Sequence, residues 1–110
     1  MTRRCRVILT EDAARDLDEI FEYVAFHDAP QKAEYVLDRI GRTIESLATL
    51  PEPHPCTKEL LAIGIREFRE TYFKPYRIVY GIDRNDVTVY LIADGRRDMH
   101  SLLQKRLLRP

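Results

Sequence analysis

Pro75-Tyr76-Arg77-Ile78-Val79-Tyr80-Gly81-Ile82-Asp83, followed closely by Val87-Thr88-Val89-Tyr90-Leu91-Ile92, is the stretch that decides the fold. Both runs are dense in β-branched and aromatic side chains, which pack well on a pleated surface. Arg84, Asn85 and Asp86 lie between them, and Asn and Asp hydrogen-bond their own backbone and tolerate unusual φ. The reading is a β-hairpin whose loop holds two or four residues. Pro75 lacks a backbone donor and is read as the first residue of its strand.

Upstream, Gly64 opens a further strand over Ile65-Arg66-Glu67-Phe68-Arg69-Glu70-Thr71-Tyr72. Short turns join it to the hairpin, so these three strands are antiparallel. Residues 4–9 read as a strand with Cys5, Val7 and Leu9 on one face. Thr10 then caps a helix in which Ala13, Leu17, Ile20, Phe21 and Val24 recur at three- and four-residue spacings. Its other face is acidic. Phe26-His27-Asp28-Ala29-Pro30 interrupts it, and Asp28 is expected to cap a second helix from about Ala29 to Thr49. That helix carries the stripe Ala33, Val36, Leu37, Ile40, Ile44, Leu47 and Ala48. Pro51, Pro53 and Pro55 end it, and Lys58–Leu61 reads as a short turn. The order is β-α-α-β-β-β: an α+β fold with a helical hairpin on a small antiparallel sheet and a short C-terminal helical segment.

The 110 residues, 45% hydrophobic, form a single domain, with a core over about 4–98 and a segment 99–110. Eighteen basic and eighteen acidic side chains cancel, but the balance shifts along the chain. Residues 1–50 carry seven Lys/Arg against ten Asp/Glu, and 51–110 carry eleven against eight. A net of plus three is no nucleic-acid signature by itself. Cys5 and Cys56 lack metal-ligand spacing and read as free thiols. No signal-peptide core follows Met1, and no apolar run approaches a membrane span, so a cytoplasmic location is expected. Zinc, nucleotide and flavin sites fail for lack of ligand pairs or a Gly-rich phosphate loop, and no cofactor is expected.

Taken in order, the strand leading into a helical hairpin, Leu50-Pro51, Gly64-Ile65-Arg66-Glu67-Phe68-Arg69, Pro75-Tyr76-Arg77-Ile78-Val79-Tyr80 and Gly95-Arg96-Arg97-Asp98 resemble the RelE/ParE superfamily of type II toxin–antitoxin toxins. The resemblance is closer to the ParE branch. It implies a toxin that inhibits DNA gyrase, blocks replication and is neutralised by a cognate antitoxin in a hetero-oligomer. The alternative branch implies a RelE-like endonuclease that cuts mRNA on the ribosome, and a third possibility is a non-toxic binding module derived from this fold. Asp94 stands where many relatives carry a histidine, so no role is carried over from that histidine.

A metal-free RNA-cleaving site needs cations on rigid elements and a proton carrier. Arg66 and Arg77 match positions where RelE-like nucleases hold phosphate-contacting arginines, and a guanidinium offers phosphate a planar fork of donors. The same two arginines are also suited to pairing with Glu67, Glu70 or the acidic helix. Lys58 and Tyr80 complete the catalytic candidates of that alternative. His27, His54 and His100 match no nuclease histidine, and Tyr76 and Tyr90 are equally expected as sheet aromatics. For partner or target contact the expected residues are Arg66, Arg77, Arg96, Arg97, Lys105 and Arg106, with an acidic antitoxin segment over Arg66 and Arg77. Asp98 is expected to cap the last helix and to pair with Arg96 or Arg97. Leu102, Leu103, Leu107 and Leu108 form one apolar side there, facing either the sheet or a partner. Removal of Met99–Pro110 is expected to spare the core and abolish toxicity.

Overall fold

The structure, a computed structural model, describes residues 4–108. Arg3 and Arg109 lie outside the described residues. The elements are β1 (Arg6–Leu9), α1 (Glu11–His27), α2 (Pro30–Ser46), α3 (Lys58–Leu61), β2 (Phe68–Phe73), β3 (Tyr76–Asp83), β4 (Asp86–Asp94) and α4 (Met99–Leu107). They form one four-stranded sheet in the order β1-β4-β3-β2. β2, β3 and β4 are antiparallel as expected. β1 joins the edge of β4 in parallel, so the complete sheet is mixed.

The central hairpin closes through two residues, Arg84 and Asn85, with Asp83 opposite Asp86. Arg84 takes φ 58°, in the left-handed region that tight hairpin turns require. Asp86 is thus the first residue of β4 rather than part of the loop, and it pairs with Arg6 of β1 at 3.2 Å. Pro75 lies with Lys74 in the β2–β3 turn, one residue before the strand expected to begin with it.

Several boundaries move for identifiable reasons. α1 runs on to His27, and Asp28 closes it, its backbone N–H donating to Val24 C=O. Ala29, not Asp28, is the N-cap of α2, without a side-chain cap bond. Pro30 in the first turn has no N–H to satisfy, which lowers the need for one. Gly64, at φ +83°, ends α3 instead of opening a strand. The Gly64 and Ile65 N–H groups bond back to Leu61 and Leu60 C=O at 3.0 and 2.9 Å, so β2 starts only at Phe68. Of the apolar stripe on α2, Leu37 alone is exposed.

The sheet is covered on both faces. On one, α1 and α2 bring Ala13, Val36, Ile40, Ile44 and Leu47 onto Ile78, Tyr80, Val87, Val89 and Ile92. On the other, Met99 and Leu103 of α4 and Leu60 of α3 pack on Val79, Leu91 and Ala93. α4 therefore docks on the chain's own sheet, with Leu102, Leu103 and Leu107 in a second core and Leu108 exposed. This packing weighs against the expectation that the core folds without residues 99–110, since without α4 the apolar face of β3 and β4 would be left in water.

Candidate functional site

Val87, Val89 and Leu91 alternate as though they shared a face, yet Leu91 lies on the α4 side and Ile92 on the α1–α2 side. A β-bulge explains the switch: Val79 pairs with Leu91 and Tyr80 with Val89, leaving Tyr90 extra. Beyond the bulge the outward backbone groups also change parity. β1 has ended at Leu9, opposite Val89, so the outer edge of β4 continues alone to Asp94. Two side chains take the place of a strand there. The Ile92 N–H donates to Asp16 Oδ2 at 2.9 Å, and Arg106 Nη1 donates to Tyr90 C=O at 2.8 Å. Arg106 also grips Asp16 through two bonds of 2.9 and 3.0 Å, joining α4 to α1 around the sheet edge.

Next to this clasp is an open slot of about 480 Å³ between α1 and the end of β4. Ile20, Tyr23 and Tyr76 give it apolar and aromatic walls, Glu19 lies on the α1 side, and Arg96 and Arg97 line the other side. In an extended strand the N–H and C=O of one residue point the same way. Since the Ile92 N–H points outward, so does its C=O, and the Asp94 N–H two residues on does too. The slot thus offers a short strand edge beside an aromatic wall. Asp94 is bound by Arg96 at 2.6 Å, and that hydrogen bond holds its carboxyl below the usual range. Burial pushes the Tyr76 hydroxyl upward, so it is a neutral donor at physiological pH.

Arg77 has a different place from the one the sequence suggested. It is buried, and its guanidinium grips Glu59 of α3 through two bonds of 2.8 and 2.7 Å and Glu70 of β2 through two more. The Tyr72 hydroxyl completes the cluster by donating to Glu70. Arg77 holds the Glu59 carboxyl down to about 2. With four of its five N–H donors engaged by two carboxylates under the surface, Arg77 is not presented to a phosphate or an antitoxin, and it is corrected from contact residue to internal tie. The Arg77 stem also runs against Gly95: a Cβ there would lie 2.8 Å from Arg77 Cδ and 3.1 Å from Cγ. Gly95-Arg96-Arg97 is positioned by this packing.

The remaining expected residues separate in the same way. Tyr80 is fully buried, donates to Pro51 C=O at 2.6 Å, and is pushed by burial to about 12, which removes it as a proton carrier. Arg106 is the clasp just described, not a free contact. Lys58, Arg66, Arg97 and Lys105 are exposed, and among the described residues no hydrogen bond or ion pair joins Lys58, Arg66, Arg77 and Tyr80 into a group. Asp98 caps α4, accepting from Ser101 N–H at 3.3 Å and Ser101 Oγ at 2.7 Å, while Arg96 takes Asp94 instead. His27 packs between Tyr23 and Phe26, and His54 stands edge-on to Tyr80. Cys5 and Cys56 are free thiols, and no metal-binding group of His, Cys, Asp and Glu occurs among the described residues. Asp16 was missed as a site-forming residue, and Glu59, which could have been read with Lys58 as a cation and base, was missed as the partner of Arg77. Asp16 read only as part of an acidic helix face, and Glu59 is eighteen positions from its arginine.

The chain is similar to known proteins over most of its length. Residues 7–99 match the family described as ParE toxin of type II toxin-antitoxin system, parDE. Toxin ParE3 of Caulobacter vibrioides is 30% identical over 101 residues, covering 92% of this chain and 97% of that protein. A chain of the chromosomal ParDE toxin–antitoxin system from P. aeruginosa shares the fold, with TM-score 0.70 at 16% identity over 83% of this chain and 96% of that one. No described helix is long and apolar enough to cross a membrane. With its family pattern matched from β1 to the start of α4, this chain belongs to the ParE toxin family of type II toxin–antitoxin systems.

Proposed function

We propose that this toxin acts in the cytoplasm on DNA gyrase, and that its antitoxin silences it by laying a segment in the slot between α1 and β4. The family match over residues 7–99 carries the first half, because gyrase inhibition is the general activity of ParE toxins. The scattering of Lys58, Arg66, Arg77 and Tyr80 supports it against a ribosome-dependent nuclease, which would need them as one constellation. For the antitoxin, the slot presents the outward Ile92 C=O and Asp94 N–H, the Ile92 N–H being held by Asp16, with an aromatic wall and with Arg96 and Arg97 at its lip. An extended acidic segment satisfies all three by adding a strand to β4.

Induction in growing cells without antitoxin tests the target. DNA synthesis should fall while labelled amino-acid incorporation continues; protein synthesis stopping first favours the nuclease, and unchanged growth favours a non-toxic module. Arg96→Glu with Arg97→Glu should weaken the antitoxin complex at least tenfold. Unchanged affinity would move the antitoxin off the slot.

A further inference from the structure

Past the end of β1, the outer edge of β4 is tied at two points and open between them. Upstream, Arg106 donates to Tyr90 C=O and the Ile92 N–H donates to Asp16. Downstream, the Arg97 N–H donates to Asp94 C=O at 3.1 Å. The Ile92 C=O and the Asp94 N–H remain between these ties, on either side of Ala93, whose own backbone groups point to β3. A parallel strand uses such a set with one residue. Its N–H goes to the residue before its opposite number, and its C=O accepts from the residue after it. β1 does this upstream, where Arg6, opposite Asp86, donates to Asn85 C=O at 2.7 Å. An antiparallel strand instead exchanges both bonds with a single residue. At Ile92 the donor is already used, and at Asp94 the acceptor is, so each antiparallel pair would be half made. Charge along the slot has a direction too. At the Ile92 end Asp16 and Glu19 stand with one cation, Arg106, and at the Asp94 end Arg96 and Arg97 stand with one carboxylate, Asp94.

We infer that the antitoxin segment enters the slot parallel to β4, with one residue opposite Ala93 making both backbone bonds and with its acids on the C-terminal side. Resting on the antitoxin reading of the slot, this placement adds a direction, a register and an order of side chains. Ile92 belongs to the α1–α2 side of the sheet and Ala93 to the α4 side. The residues before and after the central one lie beside Ile92 and Asp94. Their side chains therefore face Ile20, Tyr23 and Tyr76, which suits apolar groups. Further along the parallel direction the segment reaches Arg96 and Arg97, where carboxylates are favoured. Its N-terminal side lies by Asp16 and Glu19, where they are repelled. Groups two positions from the centre meet the engaged Ile92 N–H and Asp94 C=O, which limits the pairing to a short segment.

Two end-blocked peptides of one composition, Lys-Val-Ser-Val-Glu-Glu and its reverse Glu-Glu-Val-Ser-Val-Lys, test the direction when titrated into isotopically labelled toxin at low salt and followed by amide NMR. Both should shift the Ile92, Ala93 and Asp94 amides. The forward peptide should bind about fivefold more tightly, because the reverse matches the charges only by lying antiparallel with two half-made pairs. N-methylation of the forward peptide tests the register. In the parallel placement the serine N–H points at β4, so methylating it should cost about fivefold, the scale of one lost hydrogen bond. Methylating the second valine, the donor an antiparallel segment would use, should cost less than that. A reverse peptide that binds as tightly, or a larger loss from the valine methyl, overturns the parallel placement and leaves the antitoxin slot standing. No shift at Ile92, Ala93 or Asp94 with either peptide refutes the slot reading and this placement together.

Discussion

At the scale of single residues, Arg77 is the organising group. It ties α3 to β2 through Glu59 and Glu70, and its stem seats Gly95. Gly95→Ala drives a methyl into a stem whose guanidinium is already held at the far end, so the side chain cannot swing aside. An overpacking cost of about 1–3 kcal/mol is expected in urea unfolding; a melt equal to wild type would mean Arg77 is not clamped. The same cluster sets an acid limit. The folded Glu59 carboxyl lies at about 2, below its unfolded value near 4.3. Its contribution is therefore complete above about pH 4.5 and is lost as pH falls toward 2. In Glu59→Gln that part of the acid decline should vanish, and superimposable pH profiles would contradict the pairing. Sequence alone named Glu70 as one possible partner of Arg77. It had no means of ranking that pairing above a phosphate contact, because the choice depends on burial.

At the scale of elements, local chemistry was legible and non-local pairing was not. Thr10 caps α1, its hydroxyl accepting from Ala13 N–H at 3.0 Å, and the central hairpin forms from its own β-branched runs. The parallel pairing of β1 with β4 joins residues some eighty positions apart and leaves no local trace. The bulge at Tyr90 is equally silent, since Val87, Val89 and Leu91 read as a regular strand. Yet that bulge turns the Ile92 N–H toward Asp16 and creates the slot. α4 was ambiguous for another reason: spacing shows that Leu103 has an apolar side, not what covers it. In the fold Leu103 is buried on Val79, Leu91 and Ala93. Leu103→Ala should cost about 2–5 kcal/mol, the range for an emptied core site. Deletion of residues 99–110 should yield unfolded or aggregated protein by circular dichroism. A deleted chain that melts cooperatively at the wild-type temperature would return α4 to the surface.

At the scale of the molecule, two faces of one sheet carry two kinds of work. The α1–α2 side supplies the main core and the acidic wall of the slot. The opposite side is closed by α3 and α4, and Arg106 brings the two together at the β4 edge. The zero formal charge conceals this arrangement, because the cations engaged by carboxylates and those left open differ only in three dimensions. The fold is shared across toxins with different targets, so target assignment rests on the family match. Supercoiling of relaxed plasmid by purified gyrase, with purified toxin titrated in and antitoxin added back, tests that assignment most directly. Loss of supercoiling that antitoxin restores is the predicted result; undiminished supercoiling at toxin excess, with codon-positioned cuts on programmed ribosomes, would contradict it.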